Sequence, residues 1–540
     1  MTGRMSARAC TVGLDVGTTT LKAIAFDDAT GQPVARATAT IPLLGAADTP
    51  DARAAIGEGA RAEQNPDAVA DATTATLAQV VMQARAANCA VARVGISAAM
   101  HSVLPLDADE RPLLPALLWM DGRAEHEAKT LWATPAGKAL YARTGVPIHA
   151  MTPLSKLLWL RAHRPDIFAA ATRFVSLKEW IWRRWLGAWE VDASIASATG
   201  LYNLRENNWD GEALRLTSIG ATHLSALVPT TTIRTGLQDA RLLAAGLDTQ
   251  TPFVIGASDG VLANLGLGVV AGDANAAGDA IALTHGASLA HEASDAIALT
   301  IGTSLALRVG RAEPLTAPAT RAFCYVLDRG RYIVGAASNS GGNTLEWLGS
   351  VLRGEEPEAA ERRLSALLAE AGAVEVEELL CLPYLVGERA PLWSAQARGS
   401  FLGLNAQHTP AHLMRAACEG IIFNAWWIAS GLFTLVGRPR EILASGRVLD
   451  VPWMRQLVAD VFDLPVRSSG DADASARGAA LLARIATGDL TWGAALGDSS
   501  QMAEQAQREV ALPHPPQTAR YRARAQRFQA LAEALNATQA

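Results

Sequence analysis

Apolar and polar positions along this chain fall into two patterns that take turns, short alternating runs and longer stretches with helical spacing. Residues 11–16 and 21–26 are apolar runs parted by Gly17-Thr18-Thr19-Thr20, which reads as strand, tight turn, strand. Residues 33–41 predict a third strand, and the Ala/Asp/Gly stretch 45–59 a loop. Asn65-Pro66-Asp67 opens a helix over 68–87, and 91–96 is a buried strand that ends in the polar stretch 97–102. Residues 112–119 lead into Trp119-Met120-Asp121-Gly122-Arg123, followed by a charged helix. Stretches 151–163 and 176–189 read as helices, the second with Trp180, Trp182 and Trp185 on or near one face. Such a stripe belongs to a core more often than to a ligand surface.

A break falls near Thr251-Pro252. Residues 253–260 then repeat the opening logic: an apolar strand, glycines, the carboxylate of Asp259, and a helix. A second glycine-threonine turn stands at Gly302-Thr303-Ser304. Strands over 331–336 and 441–444 alternate with helices over 409–432, 452–462 and 476–488, an α/β pattern. Strand-carboxylate-turn units in both halves suit two similar domains facing across a nucleotide cleft. The boundaries expected are 9–252, 253–515 and a tail 516–540, whose Arg- and Ala-rich helix over 517–535 reads as solvated. Residues 279–290 (DAIALTHGASLA) and 295–306 (DAIALTIGTSLA) form a short tandem duplication. The second copy keeps the threonine hydroxyl and runs on into Leu307-Arg308, so the turn is assigned there. The first predicts an inserted loop or an edge strand, a liability if left uncovered.

Composition narrows the field. The 540 residues predict at least two domains, and 50% hydrophobic with 19% charged residues describes a soluble globular protein. A net charge of -6 gives no basic face for nucleic acid. The five cysteines, Cys10, Cys89, Cys324, Cys381 and Cys418, are scattered and form no CxxC pair, so buried thiols in a reducing cytoplasm are expected. No signal peptide and no run able to span a bilayer is read, and no membrane partner is expected. The sequence does not fix the oligomeric state; a homodimer is carried as an expectation.

The first hairpin has the chemistry of a phosphate site. Gly17 permits a sharp turn, and Thr18, Thr19 and Thr20 offer hydroxyls beside backbone N–H groups. Asp15 at the strand end suits a magnesium ion, held directly or through water, and Lys22 adds a point charge. Read alone, the tip is equally an ordinary polar hairpin. Asp259 read alone is equally a helix N-cap.

Longer segments decide between these readings. Residues 151–160 (MTPLSKLLWL), Gly399-Ser400-Phe401-Leu402-Gly403-Leu404 with His412-Leu413 and Ala416-Ala417-Cys418-Glu419, and Gly387-Glu388-Arg389-Ala390-Pro391-Leu392-Trp393 carry a resemblance to the FGGY carbohydrate kinase family. It runs over about 12–488. Within that family, segments 145–154 and 197–204 and Phe323-Cys324-Tyr325 most resemble gluconokinases. The resemblance implies an α/β fold of two actin-like (ribonuclease H-like) ATPase domains flanking a nucleotide and substrate cleft. It implies ATP and Mg2+, and transfer of the γ-phosphoryl group to a primary hydroxyl of a sugar or sugar acid, above all D-gluconate.

By the same resemblance Asp259 is the catalytic base and a substrate contact. Met100, His101, Trp119, Asp121, Arg123 and His149 are the other substrate candidates, placed in the first domain. Arg123, His101 and His149 are nominated for a sugar-acid carboxylate. The plainer readings are a satisfied strand-end histidine for His101, a surface ion pair for Asp121 and Arg123, and a helix cap for His149. ATP is expected between Gly17-Thr18-Thr19-Thr20 with Lys22 on one side and Gly302-Thr303 on the other. Gly342 and Glu346 resemble the ribose and adenine region, and Gly446-Arg447 a second nucleotide segment, where the family commonly has a second glycine. Arg447 either stacks on adenine, pairs with phosphate or crowds the site. Two domains with substrate between them predict closure that excludes water. A pentulose such as xylulose, another polyol, and a catalytically weakened sugar- or nucleotide-binding protein are the competing readings.

Overall fold

The computed structural model describes residues 8–44, 59–271, 294–353, 360–468, 473–496 and 510–539. The loop expected at 45–59 lies outside them except for Gly59, and so does the first tandem copy, 279–290.

Two six-stranded sheets are built to one plan. In the first, β1 (Arg8–Val16), β2 (Thr20–Asp27) and β3 (Pro33–Thr40) form an antiparallel meander. On its other side β1 runs parallel to β4 (Cys89–Ala98), and β4 parallel to β5 (Phe253–Ser258). In the second, β6 (Ala296–Ile301) and β7 (Leu305–Arg311) form the hairpin, continued antiparallel by β8 (Phe323–Asp328) and β9 (Arg331–Ser338) in the order β8-β9-β7-β6. There β6 runs parallel to β10 (Glu441–Ser445), and β10 parallel to β11 (Val466–Ser468). A hairpin extended by antiparallel strands on one side and by parallel strands beside its first member therefore occurs twice, and the second tandem copy, 295–306, forms β6, the turn and the start of β7.

The central strands are buried along almost their whole length because helices cover both faces. On one face of the first sheet lies α1 (Pro66–Ala86), started by Asn65, whose Oδ1 accepts from the N–H groups of Asp67 (2.9 Å) and Ala68 (3.1 Å). It buries Val69, Leu77, Val80, Val81 and Ala84. Between β4 and β5 the chain inserts a largely helical region with α2 (Pro153–His163) and α3 (Leu177–Leu186). Trp180, Trp182 and Trp185 on α3 are buried core residues. After β5 come α4 (Asp259–Gly266) and, beyond the second hairpin, α5 (Gly342–Arg353), α6 (Pro410–Val436), α7 (Ala474–Ala486) and α8 (Pro515–Gln539).

Three expectations change. The boundary at 252/253 cuts through the first sheet, because β5 pairs with β4 through Phe253↔Val94 and Ser258↔Ala98. The helix after residue 516 is not solvated on all sides: Tyr521, Ala525, Phe528 and Ala532 are buried against the second core, and Arg524 bonds Glu419 of α6 at 2.6 Å. Its apolar spacing of four, three and four was masked by the arginines and small alanines around it. And α6 is long and apolar enough to cross a membrane by length and composition. Here it is a core helix, with Met414, Ile421, Ile422, Phe423 and Ile428 buried among the strands and helices of the second half.

The two halves meet where α7 lies on β1 and β4. The approach is backbone on backbone: a Cβ at Gly13 would collide with the carbonyl of Ala476, and one at Gly95 with that of Ala479. Gly13→Ala therefore has to push α7 off the sheet. We expect a loss of about 2 kcal/mol, within the range for overpacked cores. It reads as a lowered first unfolding midpoint in urea, whereas alanine at the open position Gly211 leaves that midpoint in place.

Candidate functional site

The pairing register of the first sheet sets up the site. Asp15 stands opposite Ser97 of β4, and so does Ala257 of β5 from the other side. Asp15 and Asp259 thus leave the same edge of the sheet two strands apart, about 10 Å at ordinary strand spacing. Ser97 Oγ donates to Asp15 Oδ1 at 2.8 Å. Burial, and then the charge of Asp259, push the Asp15 carboxyl up to about 6.

Asp259 is the first residue of α4, with Ser258 at the capping position. The Ser258 hydroxyl is engaged with Ser194 (3.1 Å), so no side chain caps the helix from there. Asp259 Oδ1 accepts from the N–H of Gly260 at 2.6 Å; since Ser258 holds the capping position, Asp259 is not the N-cap that its residue type suggests. Burial raises its pKa; the Gly260 N–H and then the Arg308 guanidinium work against that.

The first hairpin turn is tied to the substrate side. Trp119 Nε1 donates to Thr18 Oγ1 (3.0 Å), and Gln64 Nε2 to the Thr18 carbonyl (2.6 Å). Gly17 is partly buried, while Thr19 and Thr20 are exposed. Lys22 pairs with Asp473 at the head of α7 (3.5 Å), so it also joins the hairpin to the second half. The second turn docks on α5: Gly342 N donates to the Gly302 carbonyl (2.8 Å) and Asn343 N to that of Thr303 (3.2 Å). Gly446, at φ 109°, lies so close to the Ile301 carbonyl that no Cβ fits. Gly302, Thr303, Gly342 and Gly446 therefore form one backbone cluster, in which Gly302 and Thr303 are exposed and Gly342 is buried. Arg447 starts a short 3-10 turn and is exposed, and Glu346 is exposed on α5.

A cavity between the halves is lined by Trp119, Asp121 and His149 from the first and Asn339, Glu388 and Arg389 from the second. Met100 packs against both hydrophobic cores nearby. Both halves thus contribute to this lining. Glu388 holds its wall together. Its carboxylate accepts from Ser338 Oγ, Ser340 Oγ and the N–H groups of Asn339 and Arg389, each at 2.8 Å. Burial still pushes it up to about 7.

None of the three nominated carboxylate partners serves as a spare cation. Arg123 is closed into a network with Asp121 (Nη2 to Oδ2, 2.6 Å) and Glu63 (Nη2 to Oε1, 2.7 Å) and lies over Trp159. This pair is largely buried, not a surface one, because Asp121 is 1% exposed. Burial, then Lys156, hold His101 well below the usual imidazole range. Burial, then Arg389, bring His149 down to about 3. Both rings are neutral at pH 7. His149 Nδ1 accepts from the N–H of Met151 (3.2 Å), which leaves Nε2–H as its donor. His101 stands at φ 72°, with Nε2 3.5 Å from Tyr325 Oη and its carbonyl bonded by the buried Lys156 ammonium (3.0 Å).

The residues that the sequence reading missed are Asn339, Glu388, Arg389 and Arg308. Glu388 and Arg389 sat in plain view in the Gly387–Trp393 segment, where they served only as a signature. Arg308 was visible as the one charge inside the otherwise apolar run from Leu305 to Gly310.

The described residues contain no cluster of three or more His, Cys, Asp or Glu able to hold a metal by themselves. Asp15 fits a shared role: Ser97 occupies one oxygen, and Oδ2 makes no hydrogen bond among the described residues. Magnesium bound through one or two carboxylates and substrate phosphates needs no more.

Comparisons with known proteins agree with this geometry. Models of the FGGY family of carbohydrate kinases match the N-terminal domain at residues 10–266 and the C-terminal domain at 297–487. The chain is 35% identical to the gluconokinase of Bacillus subtilis (strain 168) over 486 residues, 89% of this chain and 88% of that one. It is 29% identical to the xylulose kinase of Escherichia coli (strain K12), over 73% of this chain and 76% of that one. The crystal structure of gluconate kinase from Lactobacillus acidophilus superimposes with a TM-score of 0.84 at 28% identity, covering 98% of this chain and 99% of that chain.

Asp15 gives a stability test. Its raised pKa means that the folded state holds the proton more tightly, so its contribution to stability falls as pH rises from about 4 to about 6. Asp15→Asn removes the buried charge and should raise stability at pH 8 by about 1–2 kcal/mol. The gain should vanish below about pH 4. Thermal melts of both proteins at the two pH values check this.

Proposed function

The chain belongs to the FGGY family of carbohydrate kinases, and on that premise we propose that it phosphorylates D-gluconate at its terminal hydroxyl with ATP. The observation that carries the reading is Asp259, a carboxylate held on a rigid strand–helix junction at the cleft and kept basic by burial. The likeness to gluconokinases at 35% identity supports the sugar acid over a neutral ketose.

Substrate lies in the cavity between the halves, with Trp119 as an apolar wall and the His149 Nε2–H and Asn339 as hydrogen-bonding groups. Asp121 orients Arg123 and the loop that carries Trp119. The acceptor hydroxyl meets Asp259. As its oxygen bonds to the γ-phosphorus, the bond from phosphorus to the β,γ-bridging oxygen breaks, ADP leaves, and the hydroxyl proton passes to Asp259. The backbone of Gly17, Thr18, Thr19 and Thr20 faces the phosphates from one half, with Lys22 behind it. Gly302 and Thr303 face them from the other, and Gly342, Glu346, Gly446 and Arg447 border the nucleoside. Asp15 would hold Mg2+, which when bound offsets phosphate charge. All five cysteines are free, buried thiols, in keeping with a cytoplasmic protein.

ADP release measured across D-gluconate, xylulose, ribulose and glycerol tests the assignment. Gluconate should be the preferred acceptor, and no turnover on any of the four would overturn the kinase reading. Asp259→Asn should lower turnover by about 100-fold or more. In the wild type the acid limb of the rate profile should lie above the usual aspartate range, because the raised pKa keeps Asp259 protonated there.

A further inference from the structure

A sugar acid brings a carboxylate into the cleft, and the cations there can be sorted by what they already hold. Arg123 is closed on Asp121 and Glu63. The Lys156 ammonium is spent on the carbonyls of His101 and Met151. Arg321 donates to the Ile148 carbonyl and lies between the rings of Trp132 and Trp393. Arg389 gives Nε to Asn339 Oδ1 (2.8 Å) and Nη2 to the Ser338 carbonyl (3.0 Å), which leaves it a single nitrogen.

Arg308 is different. It makes no hydrogen bond and no ion pair among the described residues, although it is half-buried. All three of its nitrogens remain available, enough for a bidentate pair. Its place is fixed by close packing: a Cβ at Gly260 would lie 3.0 Å from Arg308 Nη2, so the guanidinium fills the room that this glycine leaves beside Asp259. Asp259 and Tyr325 are the groups whose charge it feels. Arg308 and Asp259 influence one another without forming an ion pair, so there is a gap between them.

Arg308 is not part of the turn that carries Gly302 and Thr303. It lies five residues past Thr303 along an extended strand, about 15 Å away, farther than an arginine side chain spans. The phosphates are expected at Gly302 and Thr303, and the acceptor hydroxyl at Asp259. The guanidinium beside Asp259 therefore stands at the acceptor's end of the site, away from the turn that carries Gly302 and Thr303.

We propose that Arg308 is the specificity-determining residue that binds the carboxylate of the sugar acid, with Tyr325 as its neighbour in a subsite walled by Gly260. The proposal rests on the kinase reading above and adds to it the group that separates an aldonate from a neutral acceptor. A bidentate pair formed out of bulk water discriminates strongly, because the neutral analogue leaves the buried guanidinium unpaired.

The test compares D-gluconate with D-glucitol, which has the same hydroxyls and a neutral end in place of the carboxylate. The wild-type enzyme should favour gluconate by about 100-fold or more in kcat/KM. Arg308→Gln should raise the KM for gluconate to near that for glucitol, with the glucitol value changed little. Arg308→Lys, which keeps the charge and loses the fork, should fall between. Equal wild-type turnover of the two acceptors would overturn the subsite while leaving the kinase intact. A gluconate KM within about threefold of wild type in Arg308→Gln would do the same. So would a loss of kcat on both acceptors with KM unchanged, which would mark Arg308 as part of the transfer step. Turnover of neither acceptor by the wild type would overturn both readings. The wild-type comparison needs no variant to fold.

Discussion

Everything at this site depends on how closely one helix of the second half lies on the first sheet. Where α7 crosses β1 and β4, glycines on the strands let carbonyl oxygens of the helix occupy the space of missing side chains. The same helix meets α4 in the same way: Gly266 of α4 lies against the Ala474 carbonyl, and Gly478 of α7 against that of Leu262. Contact of that kind tolerates little sliding, since interiors are packed like crystals. The strand ends that carry Asp15 and Asp259 therefore have a fixed relation to the turn that carries Gly302 and Thr303. The Lys22–Asp473 pair locks the hairpin tip to the head of the same helix.

On that joint the two sheets present equivalent edges to one gap. Each supplies a hairpin turn next to a parallel strand, and the first also supplies two carboxylates. Burial makes both carboxylates resist ionisation, which is why Asp15 and Asp259 are raised, and at Asp15 the charge of Asp259 adds to the effect. This strain is useful in a phosphoryl-transfer site. A cation is drawn to Asp15, and a base stronger than an ordinary aspartate stands at the acceptor.

The substrate cavity shows how burial reassigns roles that residue type alone suggests. Histidines are natural anion partners on paper, but His101 and His149 are desolvated among arginines and a lysine, and neutrality costs less than one more charge. An arginine following Trp-x-Asp looks like a carboxylate clamp. In the folded chain its own neighbours Asp121 and Glu63 take it first. The cations that remain come from the other half of the protein, from β7 and from the segment after residue 387.

The amino-acid sequence by itself determined the local grammar: which runs become strands, the glycine-threonine turn in each half, and the strand-end carboxylates Asp15 and Asp259. These are properties of neighbouring residues, and hydrophobic period and turn chemistry carry them directly. The spans of α2, α3 and α6 agreed with their patterns to within a few residues, as did the buried state of the cysteines. Only the tertiary structure decided which sheet β5 joins, that the arginine-rich α8 has a buried face, and which charges are spent. Strand partnership, helix docking and ion pairing join residues far apart in the chain. Whether a guanidinium such as that of Arg123 or Arg308 is free depends on what the fold places beside it, which no local pattern records.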